Sequence, residues 1–176
     1  MAIDKTGQSL SVGTEGNLLV MVAPASILTA GKTLSDITLT QLNAASFVDI
    51  TYDLTAGSGW AETTSQETIS DDRLTATETF AQPGKTTNGL TVQYVYGDES
   101  AKADDVLVED EKLIFAVRWA TDHDENITAT SKFDFWMTKA GRKQRDQAAA
   151  NSVFTKTQVI YPLAKVERDV VPAAGA

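Results

Sequence analysis

The side chains best suited to chemistry lie in two acidic stretches. His123 is the sole histidine and sits in the turn Asp122-His-Asp-Glu-Asn. Asp122, Asp124 and Glu125 around it offer oxygens to a cation, although such a cluster more often keeps a hairpin tip soluble. The second stretch, 98–111 (DESAKADDVLVEDE), holds seven acids and one lysine. Carboxylate oxygens suit calcium, but this spacing matches no calcium loop. A solvated connection, anchored by Val106 and Val108, is the expected form.

Nucleophilic catalysis needs a nucleophile, a base and a group that orients the base. With no cysteine and one histidine, no such triad can be written. Nucleophile-elbow, P-loop and dinucleotide glycine motifs are absent from the sequence. Asn126-Ile-Thr is a glycosylation triplet, which matters only to a secreted protein. The expectation is a protein that is not an enzyme and holds no cofactor or metal. The start, Met1-Ala-Ile-Asp, has no basic region followed by an apolar run, and no apolar stretch reaches membrane-spanning length. A soluble protein with no membrane partner is expected.

Charge is distributed unevenly along the 176 residues. Residues 1–111 carry a net −12 and residues 112–176 a net +3, together −9. A nucleic-acid binder wants a net basic footprint, so specific binding is disfavoured. Acidic and basic regions on one chain suit contact between copies.

The elements that must position these groups read as strands. Three consecutive runs alternate with period two: 112–120 (KLIFAVRWA), 131–138 (SKFDFWMT) and 153–166 (VFTKTQVIYPLAKV). In the last, Val153, Thr155, Thr157, Val159, Tyr161 and Leu163 share the face expected to pack. Twenty-three threonines against four prolines also favour strands. Earlier in the chain, 17–23 (NLLVMVA) reads as a short buried strand and 90–96 (LTVQYVY) as an alternating one. Residues 73–80 form a further strand, and 82–85 and 86–89 are turns. Residues 38–46 supply one or two helical turns capped by Thr38 or Thr40, and 141–150 is a second helical candidate. Residues 47–54 (FVDITYDL) alternate, placing Asp49, Thr51 and Asp53 on a wet face opposite Val48, Ile50, Tyr52 and Leu54. Residues 1–16 form an N-terminal arm, 17–170 a single β-rich domain, and 171–176 a C-terminal tail. Within the domain, 55–72 (TAGSGWAETTSQETISDD) is a long exposed loop or extended hairpin. Its Trp60 either meets a partner surface or folds back on its own core. The basic run GRKQRD sets Arg142, Lys143 and Arg145 between two strands, where they would meet an acidic stretch of a neighbouring copy such as 98–111.

This order of elements resembles the major tail tube protein of long-tailed, non-contractile bacteriophages. The resemblance is carried by the short N-terminal arm and strand, the mixed segment TLSDITLTQLNAASFVDITYDL, the polar loop 55–72 and the final meander. It implies a mainly β fold, an antiparallel β-sandwich or half-barrel with one short helix. Sheets would join between subunits into a barrel-like ring, usually hexameric. Rings would stack into a tube in the virion, made in the bacterial cytoplasm, with double-stranded DNA passing through its lumen unbound. Other partners would be the tape measure, tail terminator and distal tail proteins. Asp49, Thr51 and Asp53, with Thr75, Thr77 and Thr79, are then lumen-facing candidates. Trp60, Arg142, Lys143 and Arg145 are inter-subunit candidates. The alternative is a β-sandwich virion surface or adhesion module that uses 55–72 to bind an external ligand.

Overall fold

A computed structural model describes residues 12–71, 78 and 80–173. Its strands are β1 (Leu18–Pro24), β2 (Val48–Asp49), β3 (Trp60–Asp71), β4 (Phe80–Val95), β5 (Lys112–Trp119), β6 (Phe133–Arg145), β7 (Thr155–Pro162) and β8 (Glu167–Val170). They form one antiparallel sheet in the order β2-β1-β5-β6-β7-β4-β3, with β8 also on β6. The fold class is therefore mainly β, as expected.

Strand β6 belongs to two half-sheets. Its first part pairs with β5, from Val117↔Asp134 to Lys112↔Lys139. Its second part pairs with β7, from Thr138↔Pro162 to Arg145↔Lys156. The halves face each other across a common core. Val20 and Val22 of β1, Phe115 of β5 and Trp136 of β6 meet Val92 and Tyr94 of β4 and Ile160 of β7. A second core covers the far side of β1 and β5, where Leu34, Ile37, Leu42 and Phe47 pack on Met21, Ile114, Ala116 and Phe135. β1 and β5 are thus buried on both faces, which suits the short buried strand read at 17–23, whereas β5, read from the sequence as alternating, keeps no wet face between Leu113 and Arg118.

The covering segment contains the helix α1 (Leu39–Leu42). Thr38 caps it, its hydroxyl accepting from the Gln41 N–H while Gln41 Oε1 accepts from the Thr38 N–H. A second short helix, α2 (Ala103–Val106), lies in the acidic stretch. Leu107 is fully buried there, whereas Val108 points outward, so Leu107 joins Val106 as the anchor instead of Val108.

Several expectations need correction. Residues 47–54 do not form one strand: β2 ends at Asp49, and Thr51–Asp53 is a turn of 3-10 helix. The segments 82–85 and 86–89 are not turns but lie inside β4. Pro83 fits because β7 stops at Leu90, leaving one side of that stretch with no ladder bond to make. A bulge accompanies it, where the pairing shifts between Gln66 and Thr68. Residues 141–145 continue β6 and are not helical. In β7 the buried side chains are Gln158 and Ile160, while Val159 and Tyr161 are exposed, the reverse of the expected face. Of the strand expected at 73–80, Phe80 opens β4 and the rest lies largely outside the described residues.

Gly59 tests the corner where 55–59 turns into β3. A Cβ there would lie 2.4 Å from the Thr55 carbonyl oxygen and 2.7 Å from its nitrogen, backbone atoms that cannot swing away. Gly59→Ala is expected to destabilise the unassembled subunit by about 1–3 kcal/mol. Gly13→Ala, with nothing within 4 Å, should be neutral. Urea denaturation of both variants checks the contrast.

Candidate assembly interface

Among the described residues, the half-sheet β6-β7-β4-β3 ends in two edges that carry no further strand. β3 has β4 as its one strand partner among the described residues. On β6, the side away from β7 pairs with β5 only as far as Lys139. Beyond it, the Asp110 N–H donates to the Ala140 carbonyl, the Ala140 N–H to the Glu111 carbonyl, and the Lys143 N–H to the Glu109 carboxylate. Successive strands alternate in direction, so the β3 edge and the β6 edge run opposite ways. Their charges also oppose. β3 carries Glu62, Glu67 and Asp71 and no basic residue, while 139–145 carries Lys139, Arg142, Lys143 and Arg145 and no acidic one.

Alternation gives this half-sheet one packed and one open face. The packed face holds Leu90, Val92, Tyr94, Gln158 and Ile160. The open face aligns Ala61, Thr91 and Val159 in one row and Gln93 and Thr157 in the next. At one end of it, the Asp146 carboxylate accepts from Gln93 Nε2 (2.9 Å), Thr155 Oγ1 (2.8 Å) and Thr157 Oγ1 (2.9 Å). Those donors outweigh desolvation and lower its pKa. Beyond Leu90 the β3–β4 hairpin continues without β7, and its outer residues, including Ile69 and Phe80, are exposed.

Each sequence-derived candidate now has a place. Trp60 folds back onto its own core, edge-on to Phe115 (5.4 Å) and Trp136 (6.2 Å), with Nε1 donating to Glu62. Within the subunit it thus takes the second of its two expected places, packed on its own core, with part of its surface still open. Asp49, Thr51 and Asp53 share no strand face. Asp49 accepts from the Thr51 N–H and hydroxyl, Thr51 Oγ1 accepts from the Val20 N–H, and Asp53 accepts from the N–H groups of Lys102 and Ala103. Lys143 does meet the acidic stretch 98–111, but within its own chain. Asp104 takes Lys143 at 3.0 Å and Lys156 at 2.7 Å and accepts from the Tyr94 hydroxyl. Burial opposes the Asp104 charge, yet the two ammonium groups hold its pKa below the usual carboxylate range. Arg142 and Arg145 are exposed at the β6 edge and make no ion pair among the described residues. Thr75, Thr77 and Thr79 lie outside the described residues.

A family model for phage tail tube proteins matches residues 8–175. The chain belongs to the phage tail tube protein family. No curated protein matches its sequence. Its fold is similar to a chain in the cryo-EM structure of the anti-feeding prophage baseplate, six-fold symmetrised, with a TM-score of 0.51 at 13% identity, covering 92% of this chain and 96% of that one. A chain of the sheath–tube complex of an extracellular contractile injection system, in its extended state, matches with a TM-score of 0.48 at 10% identity, over 89% of this chain and 90% of that one. The tail tube protein is thus a structural component of the virion. Among its described residues, no helix is long and apolar enough to cross a membrane.

Sequence reasoning missed the role of His123 in this tail tube protein. Its Nε2 lies 2.8 Å from Asp49 and its Nδ1 3.0 Å from Asp124, while its backbone N–H donates to the Gly16 carbonyl. Beneath the turn, buried Arg118 donates from Nη2 to the carbonyls of Asp122, His123 and Glu125. The ring ties the 121–126 turn to β2, a role legible only once both are folded. Burial alone would disfavour the imidazolium, but hydrogen bonds and charge from Asp124 and Asp49 outweigh it and raise the pKa. A raised folded-state pKa contributes stability that is complete below the ordinary value of about 6.5 and is lost as pH rises through the folded-state value. His123→Gln should therefore destabilise the subunit most in mild acid, its deficit shrinking towards pH 9. With one histidine in the chain, NMR titration of its ring gives the pKa directly. A value at or below 6.5 contradicts the clasp.

Proposed function

We propose that copies of this protein close into rings, six to a ring, and that the rings stack into the tube through which phage DNA leaves. One observation carries this reading: among the described residues, the half-sheet β6-β7-β4-β3 ends in two edges with no further strand, opposite in direction and in charge, the β6 edge being covered only by the segment 109–111. An edge strand left open is an aggregation template, and pairing it with another copy removes the hazard. β3 of one copy laid beside 141–145 of the next continues the antiparallel alternation. A contact between two different surfaces propagates, closing into a ring when its rotation permits. The six-fold symmetry named for the similar solved assembly supports six as the number. The projecting β3–β4 hairpin, with Ile69 and Phe80 exposed near its end, is suited to reach an adjacent ring.

The lumen wall in this proposal is the open face of the same half-sheet. Thr63, Thr91, Gln93 and Thr157 line it with hydroxyls and an amide, in place of the acidic wall expected at 49–53. Two cations lie at its edge: Lys139, paired with Asp110 at 3.0 Å, and Arg142, which in the ring meets the acidic β3 of the neighbouring copy. DNA is gripped chiefly through phosphate contacts from lysine and arginine, so a wall short of free cations lets it slide. Synthesis in the bacterial cytoplasm and contacts with the tape measure, tail terminator and distal tail proteins complete the proposal.

Two measurements test it. Electron microscopy of the purified protein should show rings or tubes. Arg142→Glu/Arg145→Glu should lower assembly at low salt while leaving the subunit folded, since each exposed pair is worth only about 0–1 kcal/mol but recurs at every junction. A wild-type protein that stays monomeric at high concentration and all salt levels refutes the ring. Thr63→Lys/Thr91→Lys should assemble normally and slow genome ejection; unaltered ejection refutes the wall.

A further inference from the structure

Beside the start of β3 lies an apolar groove of about 570 Å³. Leu18, Leu54, Trp60, Tyr52 and Trp119 supply its apolar lining, and Glu15 and His123 also line it. Tyr52 is 76% exposed and Trp119 46% exposed. Two aromatic rings this open, in a groove lined also by Leu18, Leu54 and Trp60, form a patch of the kind that marks a contact surface. Trp119 is held in place by its Nε1 bond to Asp134, and Tyr52 by its edge-on contact with His123 at 4.6 Å.

The opposite side of the half-sheet carries a matching projection. Residues 109–111 run along the side of β6 away from β7, tied to Ala140 and Lys143. Immediately before them, Val108 is 46% exposed, although Val106 and Leu107 beside it pack into the core. The two features sit at the same height. Trp60 pairs with Val92, Val92 with Gln158, and Gln158 with Lys143, so a single cross-strand row joins the groove to the Glu109–Lys143 contact.

We infer that Val108 of one copy seats in the Tyr52–Trp60–Trp119 groove of the next. This rests on the ring reading above, in which β3 meets the 141–145 edge. When those edges meet, the row through Trp60 and Lys143 brings the groove of one copy opposite the projection of its neighbour. The acidic β3 and the basic β6 edge orient the approach. The apolar seat then supplies short-range complementarity that charges at a wet edge do not. It also explains why a valine beside three consecutive acids, Glu109, Asp110 and Glu111, is left outside the core.

The test uses the absence of cysteine from the chain. Tyr52→Cys and Val108→Cys are introduced together and treated with a short thiol-to-thiol crosslinker after assembly. A covalent ladder extending to the full ring is expected, with no ladder from either single variant. In parallel, Val108→Asp should raise the concentration needed for assembly at least tenfold with the subunit's denaturation midpoint unchanged, and Val108→Leu should assemble like wild type. Rings visible by electron microscopy without a ladder, or a Val108→Asp variant that assembles normally, overturn the seat and leave the ring reading standing. A double-cysteine protein that is monomeric where wild type assembles, with Val108→Asp assembling normally, also overturns it. Failure of wild type itself to form rings removes both.

Discussion

A strand inside a sheet needs a hydrogen-bonding neighbour on each side, and the described residues supply one strand for β3 and one for the end of β6. The rest of the structure follows from how that shortage is arranged. β1 and β5 have partners on both sides and are buried on both faces. β6 crosses from one half-sheet to the other at Lys139, which pairs with both Lys112 and Tyr161. That crossing exposes the outer side of 141–145 and leaves room for 109–111 beside it. The two edges without a strand neighbour among the described residues thereby fall on a single half-sheet.

The acidic stretch 98–111 is a structural part as well as a solvated one. Asp104 gathers Lys143, Lys156 and the Tyr94 hydroxyl, and Gln158 Nε2 donates to the Leu107 carbonyl. Partly buried carboxylates persist when partners satisfy them. The cluster pins α2 over the end of the sandwich and holds Glu109 against the Lys143 N–H. The charge asymmetry of the sequence is thus partly consumed inside the subunit. Arg142 and Arg145, exposed at the edge, are left to meet a neighbour.

Glycines and a proline shape the second half-sheet. At Gly141, a Cβ would lie 2.6 Å from the Val159 carbonyl oxygen and 3.0 Å from the Tyr161 ring, so the register shift between Ala140 and Lys143 needs a residue without one. At Gly84 a Cβ would lie 2.9 Å from the Glu67 carbonyl oxygen, beside the bulge that follows Pro83. Bulges of this kind bend and twist strands, and here they fall where the half-sheet leaves the body of the subunit.

By itself the sequence determined the fold class, the strands of the final meander, the Thr38 cap and the membership of a tail-tube-like class. Those are local: period-two runs, β-branched composition and a capping pattern act over a few residues. Tertiary structure decided which face of each strand is buried. Val159 and Tyr161 look apolar enough to pack, but Gln158 and Ile160 share a row with the core residues of β4 and take that place. It also decided that Pro83-Gly84 is a bulge within a long strand, because the missing N–H falls on a side with no neighbour. Trp60 turned inward because Phe115 and Trp136, distant in sequence, form its site. Asp49 and Asp53 became hydrogen-bond anchors because β2 ends after two residues and the chain turns. In each case the deciding partner lies far along the chain, and local pattern carries no information about it.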